Sequence, residues 1–101
     1  MTRQLVILPS AERDLNQLYT YIRDEVGPDI AIAYVRRLRT YCESFATFPE
    51  RGRRRDDIRP GLRLIGFQRR AVIAFIVTDE AIEIGRILYG GRDVDALLEG
   101  S

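Results

Sequence analysis

The hydrophobic positions of this chain change period twice. Leu5 to Leu8 form an unbroken apolar run that stops at Pro9-Ser10, which predicts a short strand. From there Ala11, Leu15, Leu18, Tyr19, Ile22 and Val26 recur at helical spacing on one face, with Arg13, Asn16, Gln17, Arg23 and Asp24 on the other. Ser10 is the expected N-cap, and Glu12 and Asp14 complement the positive end of the helix dipole. Gly27-Pro28 ends this helix and opens a second, since Gly suits the position after a helix and Pro the first turn of one. The second stripe, Ile30, Tyr34, Leu38, Tyr41, Phe45 and Phe48, predicts a helix from Pro28 to Phe48, ended by Pro49. Cys42 flanks that stripe and reads as a small buried hydrophobe.

Beyond Pro49 the period shortens to that of strands. Leu62 to Phe67, the continuous apolar run Ala71 to Val77, and Ile82 to Tyr89 read as three strands. The links at Gln68 to Arg70 and Thr78 to Ala81 are short enough for antiparallel hairpins. The order β-αα-βββ predicts an α+β fold: an antiparallel sheet with a helical hairpin on one face and the first strand beside the last. Residues 1–101 are read as a single domain, which leaves nothing to cover the sheet's other face. Val94, Leu97 and Leu98 predict a short amphipathic turn or helix that packs back or meets a partner. Along the last strand, Ile82, Ile84, Arg86 and Leu88 share one face unless Gly85 marks a bulge.

Composition narrows the chemistry. The chain has 101 residues, 46% hydrophobic and 31% charged, as expected of a globular protein. All 16 basic residues are Arg, because Lys is absent; His and Trp are absent too. That excludes an imidazole base, a Ser-His-Asp triad, a lysine Schiff base and a P-loop lysine. One cysteine excludes an internal disulfide and a Cys-rich zinc site, and no cofactor or metal is expected. No apolar run approaches a membrane span or a signal-peptide core, so a cytoplasmic protein without a membrane partner is expected.

The net charge of +1 conceals a strong asymmetry. Residues 51–70 carry eight Arg (51, 53, 54, 55, 59, 63, 69 and 70) against two acids, a local balance of +6, while residues 71–101 stand at −4. Guanidinium forks suit phosphates and carboxylates. Only Phe67 and Tyr89 lie near them for base stacking, so direct nucleic-acid binding and an acidic protein partner both stay open. Asp56-Asp57 is expected to pair with neighbouring Arg side chains. Arg86, in a row with three aliphatics, belongs either to an ion pair, with Glu83 or an acid on an adjacent strand, or to a functional groove.

Four segments together resemble the ParE branch of the ParE/RelE toxin superfamily, the plasmid-stabilisation proteins. They are Pro9-Ser10-Ala11-Glu12-Arg13-Asp14-Leu15, Phe48-Pro49-Glu50-Arg51-Gly52-Arg53, Arg59-Pro60-Gly61-Leu62-Arg63 and Ile84-Gly85-Arg86-Ile87-Leu88-Tyr89-Gly90-Gly91-Arg92-Asp93. The resemblance spans about residues 3–98. It implies the toxin of a type II toxin–antitoxin module that inhibits DNA gyrase by binding and is neutralised by a ParD-like antitoxin wrapped around it. Target or antitoxin contacts would then come from Arg51, Arg53, Arg54, Arg55, Arg59, Arg63, Arg69, Arg70, Arg86, Tyr89 and Arg92. The alternative it implies is a ribosome-dependent mRNA endonuclease of the RelE type, in which Arg69, Arg70, Arg86 and Tyr89 would carry cleavage. Tyr89 stands where many relatives carry His, and the chain offers neither His nor Lys to accept a proton from a 2′-hydroxyl. This favours a binding inhibitor with no catalytic residues.

Overall fold

The first strand, β1 (Gln4–Ile7), runs directly into helix α1 (Pro9–Val26). The structure, a computed structural model, describes residues 3–68, 70–90 and 94–99. Pro9 occupies the first turn of α1, where its missing N–H costs nothing, and Leu8 is the N-cap. Ser10 is therefore not the cap: its Oγ donates instead to the Gly85 carbonyl at 2.7 Å. Helix α2 (Pro28–Glu43) follows Gly27, which sits at φ +104° between the two helices.

The predicted second helix is shorter than its stripe. It tightens into a 3₁₀ turn at Ser44–Ala46, where Ser44 Oγ donates back to the Tyr41 carbonyl at 2.6 Å. The buried face is Ala31, Tyr34, Leu38 and Cys42, continued by Phe45. Ile30 lies one position off that face and is exposed, as is Val26 at the end of α1. Phe48 falls beyond the 3₁₀ turn, where the chain has left the helix axis, and is exposed as well.

A five-stranded sheet completes the architecture in the order β1-β5-β4-β3-β2. Its members are β2 (Arg53–Arg54), β3 (Leu62–Phe67), β4 (Ala71–Val77) and β5 (Ala81–Tyr89). The β1–β5 pair is parallel and the others are antiparallel, so the sheet is mixed at one edge. Helices α1 and α2 cover one face. Their stripes meet Ile73, Phe75, Ile82, Ile84 and Ile87, with Phe45 stacked on Phe75 at 4.6 Å between ring centres. The other face is not bare, as the sequence led us to expect. Leu62, Leu64, Ala74 and Leu88 form a second, smaller core there, closed by Leu98 from α3 (Val94–Glu99) and flanked by Ile58 and Leu97.

Register in β5 shifts at Gly85. Arg86 opposes Ala74, but Phe75 opposes Ile84, so Gly85 is the extra residue of a bulge. Strict alternation would have put Ile82, Ile84, Arg86 and Leu88 on one face. The bulge instead leaves Ile82, Ile84 and Ile87 facing the helices and turns Arg86 and Leu88 to the opposite side.

Cys42 is fully buried, and that burial pushes its thiol up to about 12. Iodoacetamide at mildly alkaline pH should therefore leave the native chain unmodified and label it once denatured. Intact-mass spectrometry checks this; rapid labelling of the native chain would contradict the burial.

Candidate functional site

The arginines of residues 51–70 do not form one patch. On the β2–β3 segment, two of them are matched by the acids that follow. Arg55 Nε and Nη2 donate to Asp57 at 2.9 and 2.8 Å, and Arg54 pairs with Asp56 at 3.1 Å. Asp56 also accepts the Gly61 N–H at 2.8 Å, so the pair fastens both ends of the loop. The Gly61 N–H, followed by Arg54, holds the Asp56 carboxyl below its usual range, and the Arg55 hydrogen bond does the same for Asp57. The expected Asp–Arg pairing is thus observed. Arg53 lies exposed on the edge strand β2. Arg59 reaches a different place, a cleft of about 550 Å³ that it shares with Arg13, Asp14, Arg86 and Leu98 on the second sheet face.

Arg51 and Arg63 come together beneath that edge. Arg63 Nη1 donates to the Arg51 carbonyl at 3.3 Å. The Arg51 guanidinium lies over Tyr41 and Phe45, 5.3 and 5.5 Å from the ring centres, a cation–π arrangement. This ties the loop to the end of α2.

Arg70 and Tyr89 meet at the opposite end of the sheet. Arg70 Nη1 donates to Tyr89 Oη at 3.4 Å, which raises the Arg70 guanidinium above its ordinary value. Two tyrosines that the sequence did not single out converge on Tyr89: Tyr21 of α1 at 5.3 Å and Tyr34 of α2 at 6.0 Å. Tyr34 also packs on Phe67 at 5.5 Å. Burial pushes the Tyr34 hydroxyl up, and among the described residues it finds no hydrogen-bond partner. The signal for this cluster was present as helical spacing, but Tyr34 read as core and Tyr21 lay outside the stripe.

Arg86 forms an ion pair, though not with Glu83 or an acid on a strand. Its Nε and Nη2 donate to the two carboxylate oxygens of Asp14 on α1 at 2.8 and 3.2 Å, and Asp14 Oδ2 also accepts the Ile87 N–H at 2.8 Å. The reason is topological. β1 pairs with β5 only as far as Ile84, so the rest of β5 has a free edge. The first turns of α1 serve that edge through Ser10 and Asp14 in place of a strand. Arg86 and Tyr89 therefore project from opposite faces of β5. Arg69 and Arg92 lie outside the described residues. Among the described residues no group of acidic or cysteine side chains is placed to hold a metal ion, and no helix is long and apolar enough to cross a membrane.

A five-stranded mixed sheet with a helical hairpin on one face is the fold of the ParE toxins. The family model of the ParE toxin of type II toxin–antitoxin system, parDE, matches residues 5–94, and the chain belongs to this family. Toxin ParE1 of Mycobacterium tuberculosis is 28% identical over 95 residues, covering 94% of this chain and 97% of that protein. Toxin ParE3 of Caulobacter vibrioides is 31% identical over 85 residues, 84% of each chain. A solved chain of the chromosomal ParDE TA system from P. aeruginosa has the same fold, with a TM-score of 0.76 at 23% identity. It covers 88% of this chain and 97% of that one.

Proposed function

We propose that the chain inhibits DNA gyrase in the cytoplasm by binding it, without chemistry of its own, and that a ParD-like antitoxin neutralises it. Membership in the ParE family supports the toxin role. The observation favouring binding over RNA cleavage is the division of the residues a nuclease would need. Arg86 is held on Asp14 at one face of β5, while Arg70 and Tyr89 meet on the other side, beside the helices. A cleaving site has to converge on one phosphate, with a proton acceptor within hydrogen-bond reach of the 2′-hydroxyl. Sixteen arginines supply no such acceptor.

The purified chain should inhibit gyrase supercoiling or trap gyrase-cleaved DNA, and addition of the antitoxin should reverse it. Cleavage of A-site codons on programmed ribosomes with gyrase untouched would replace this reading with the RelE type. Tyr89→Phe removes one long hydrogen bond, to Arg70, and should leave gyrase inhibition within about tenfold of the parent. A far larger loss in a dose–response assay would assign Tyr89 a direct role.

A further inference from the structure

Phe48 stands 64% exposed at the lip of a cleft of about 690 Å³, between the 3₁₀ turn and the β3 side of the sheet. Pro49 and Val77 continue its apolar lip, and Arg3, Arg51 and Arg63 line it together with one acid, Glu50. Among the described residues the three guanidiniums donate only to neutral oxygens, and that of Arg51 also lies over Tyr41 and Phe45. Arg3 Nε donates to the Thr78 carbonyl at 2.8 Å and Arg63 to the Arg51 carbonyl at 3.3 Å. Arg51 reaches Ser44 Oγ and Tyr41 Oη, both at 3.4 Å. Five arginines elsewhere are matched to carboxylates: Arg23, Arg39, Arg54, Arg55 and Arg86 each meet one within 3.2 Å. Here Glu50 forms no ion pair with the three among the described residues, so the lining carries excess positive charge around an exposed aromatic ring.

We propose that this cleft is a docking site for an acidic peptide segment of a partner protein. An aliphatic or aromatic side chain of the segment seats against Phe48, Pro49 and Val77, and flanking carboxylates take the outward N–H groups of Arg3, Arg51 and Arg63. Carboxylates suit these guanidiniums because they accept in the bidentate geometry that a carbonyl cannot offer. The apolar lip favours a peptide, whose aliphatic or aromatic side chain can seat against it, over a polyphosphate backbone. Nor is an open stacking platform available at Tyr41, whose face Arg51 covers. A large exposed aromatic rimmed by charge is the anatomy of an interface anchor. The inference concerns a partner's docking point and does not depend on gyrase being the target.

The test pans a random dodecapeptide library against the immobilised full chain. Enriched peptides should carry acids around one large apolar residue, and their affinity should fall with added salt. Phe48→Ser and Arg3→Gln should each weaken them by about tenfold or more, while Arg36→Gln, at an exposed position on α2 away from the cleft, leaves them unchanged. Both weakening positions are peripheral to the core, and thermal melts matching the parent show that loss of binding is not loss of fold. Failure to enrich, enrichment of peptides without acids, or equal binding to Phe48→Ser would overturn the proposal. A single-stranded dodecanucleotide that binds more tightly than any peptide and depends on Phe48 would overturn it too, assigning the cleft to nucleic acid. None of these outcomes needs gyrase or the antitoxin, so they stand apart from the gyrase assay.

Discussion

Asp14→Ala should destabilise the folded chain by about 2–3 kcal/mol, because the pair is half-buried and charge-assisted, above an exposed pair and short of the roughly 3–5 kcal/mol of a fully buried one. Asp14 is only 10% exposed and Arg86 25%, so solvent screens this pair little. The substitution strands two groups at once. Arg86 loses both of its carboxylate hydrogen bonds, and the Ile87 N–H loses its acceptor on an edge where β1 no longer runs. Total stability of a domain this size is about 5–15 kcal/mol, so the loss is a large fraction of the whole. The expected fall in Tm is about 10–20 °C. Arg86→Leu alone should cost less, because Asp14 keeps the Ile87 N–H, and the double variant should be less unstable than the sum of the singles. Calorimetry of the four proteins checks this. A loss below about 1 kcal/mol in Asp14→Ala would show that the carboxylate is not the clasp we describe.

The same geometry changes how Arg86 variants should be read. Arg86 lies in the segment that most resembles the family's C-terminal signature, so a loss of toxicity on its substitution invites the inference of a target contact. The Asp14 pair supplies another route, since an unstable chain is lost to proteolysis before it meets any target. Only a variant with parental Tm and lost inhibition would place Arg86 at the target. Arg39 offers a contrast. Its two-pronged bond to Glu12 ties α2 to α1, but both side chains are 41% exposed, and such pairs are worth about 0.2–1 kcal/mol.

Most of the fold is legible in the sequence because it rests on period. The α1 stripe and the continuous apolar run of β4 leave one solution each, and Gly27-Pro28 marks the hairpin between the helices. Strand β2 is illegible for the converse reason: two arginines on a sheet edge have no buried face and so no alternation. The bulge at Gly85 was one of two readings of β5. Nothing local decides between them, since the shift is set by where Ala74 and Phe75 lie on the adjacent strand. The candidate site is less legible still. Asp14 and Arg86 are separated by 72 positions, and their contact exists only because β1 is short and α1 begins beside the free half of β5. The +6 window likewise counted arginines that the fold disperses: some on their own acids, some on aromatics and carbonyls, one in the cleft of the second sheet face.

Gly52→Ala should be the other severe substitution, at about 3–4 kcal/mol. Gly52 sits at φ +72°, and an Ala there carries about 1–2 kcal/mol from the left-handed backbone alone. Its new Cβ would also lie 2.2 Å from the Leu64 carbonyl oxygen and 2.9 Å from Ile65 Cβ, well inside contact distance. The obstacle is strand backbone, not a flexible side chain, so the turn itself must move. Gly52 directly precedes β2, and displacing it strains the Arg53–Leu64 and Arg54–Arg63 pairing together with the Arg63 bond to the Arg51 carbonyl. Gly27→Ala is the matched control: φ is +104°, but nothing lies within 4 Å of the added carbon, so backbone strain acts without a clash. Thermal melts should rank Gly52→Ala well below Gly27→Ala. Amide exchange should show faster opening at Arg55, whose N–H donates to the Leu62 carbonyl at 2.8 Å beside the displaced turn. Equal melting of the two variants would mean that the close approach of Gly52 to β3 imposes no constraint of its own. If the turn does shift, Arg51 and Arg63 shift with it, and acidic-peptide binding should weaken even though every cleft side chain is still present.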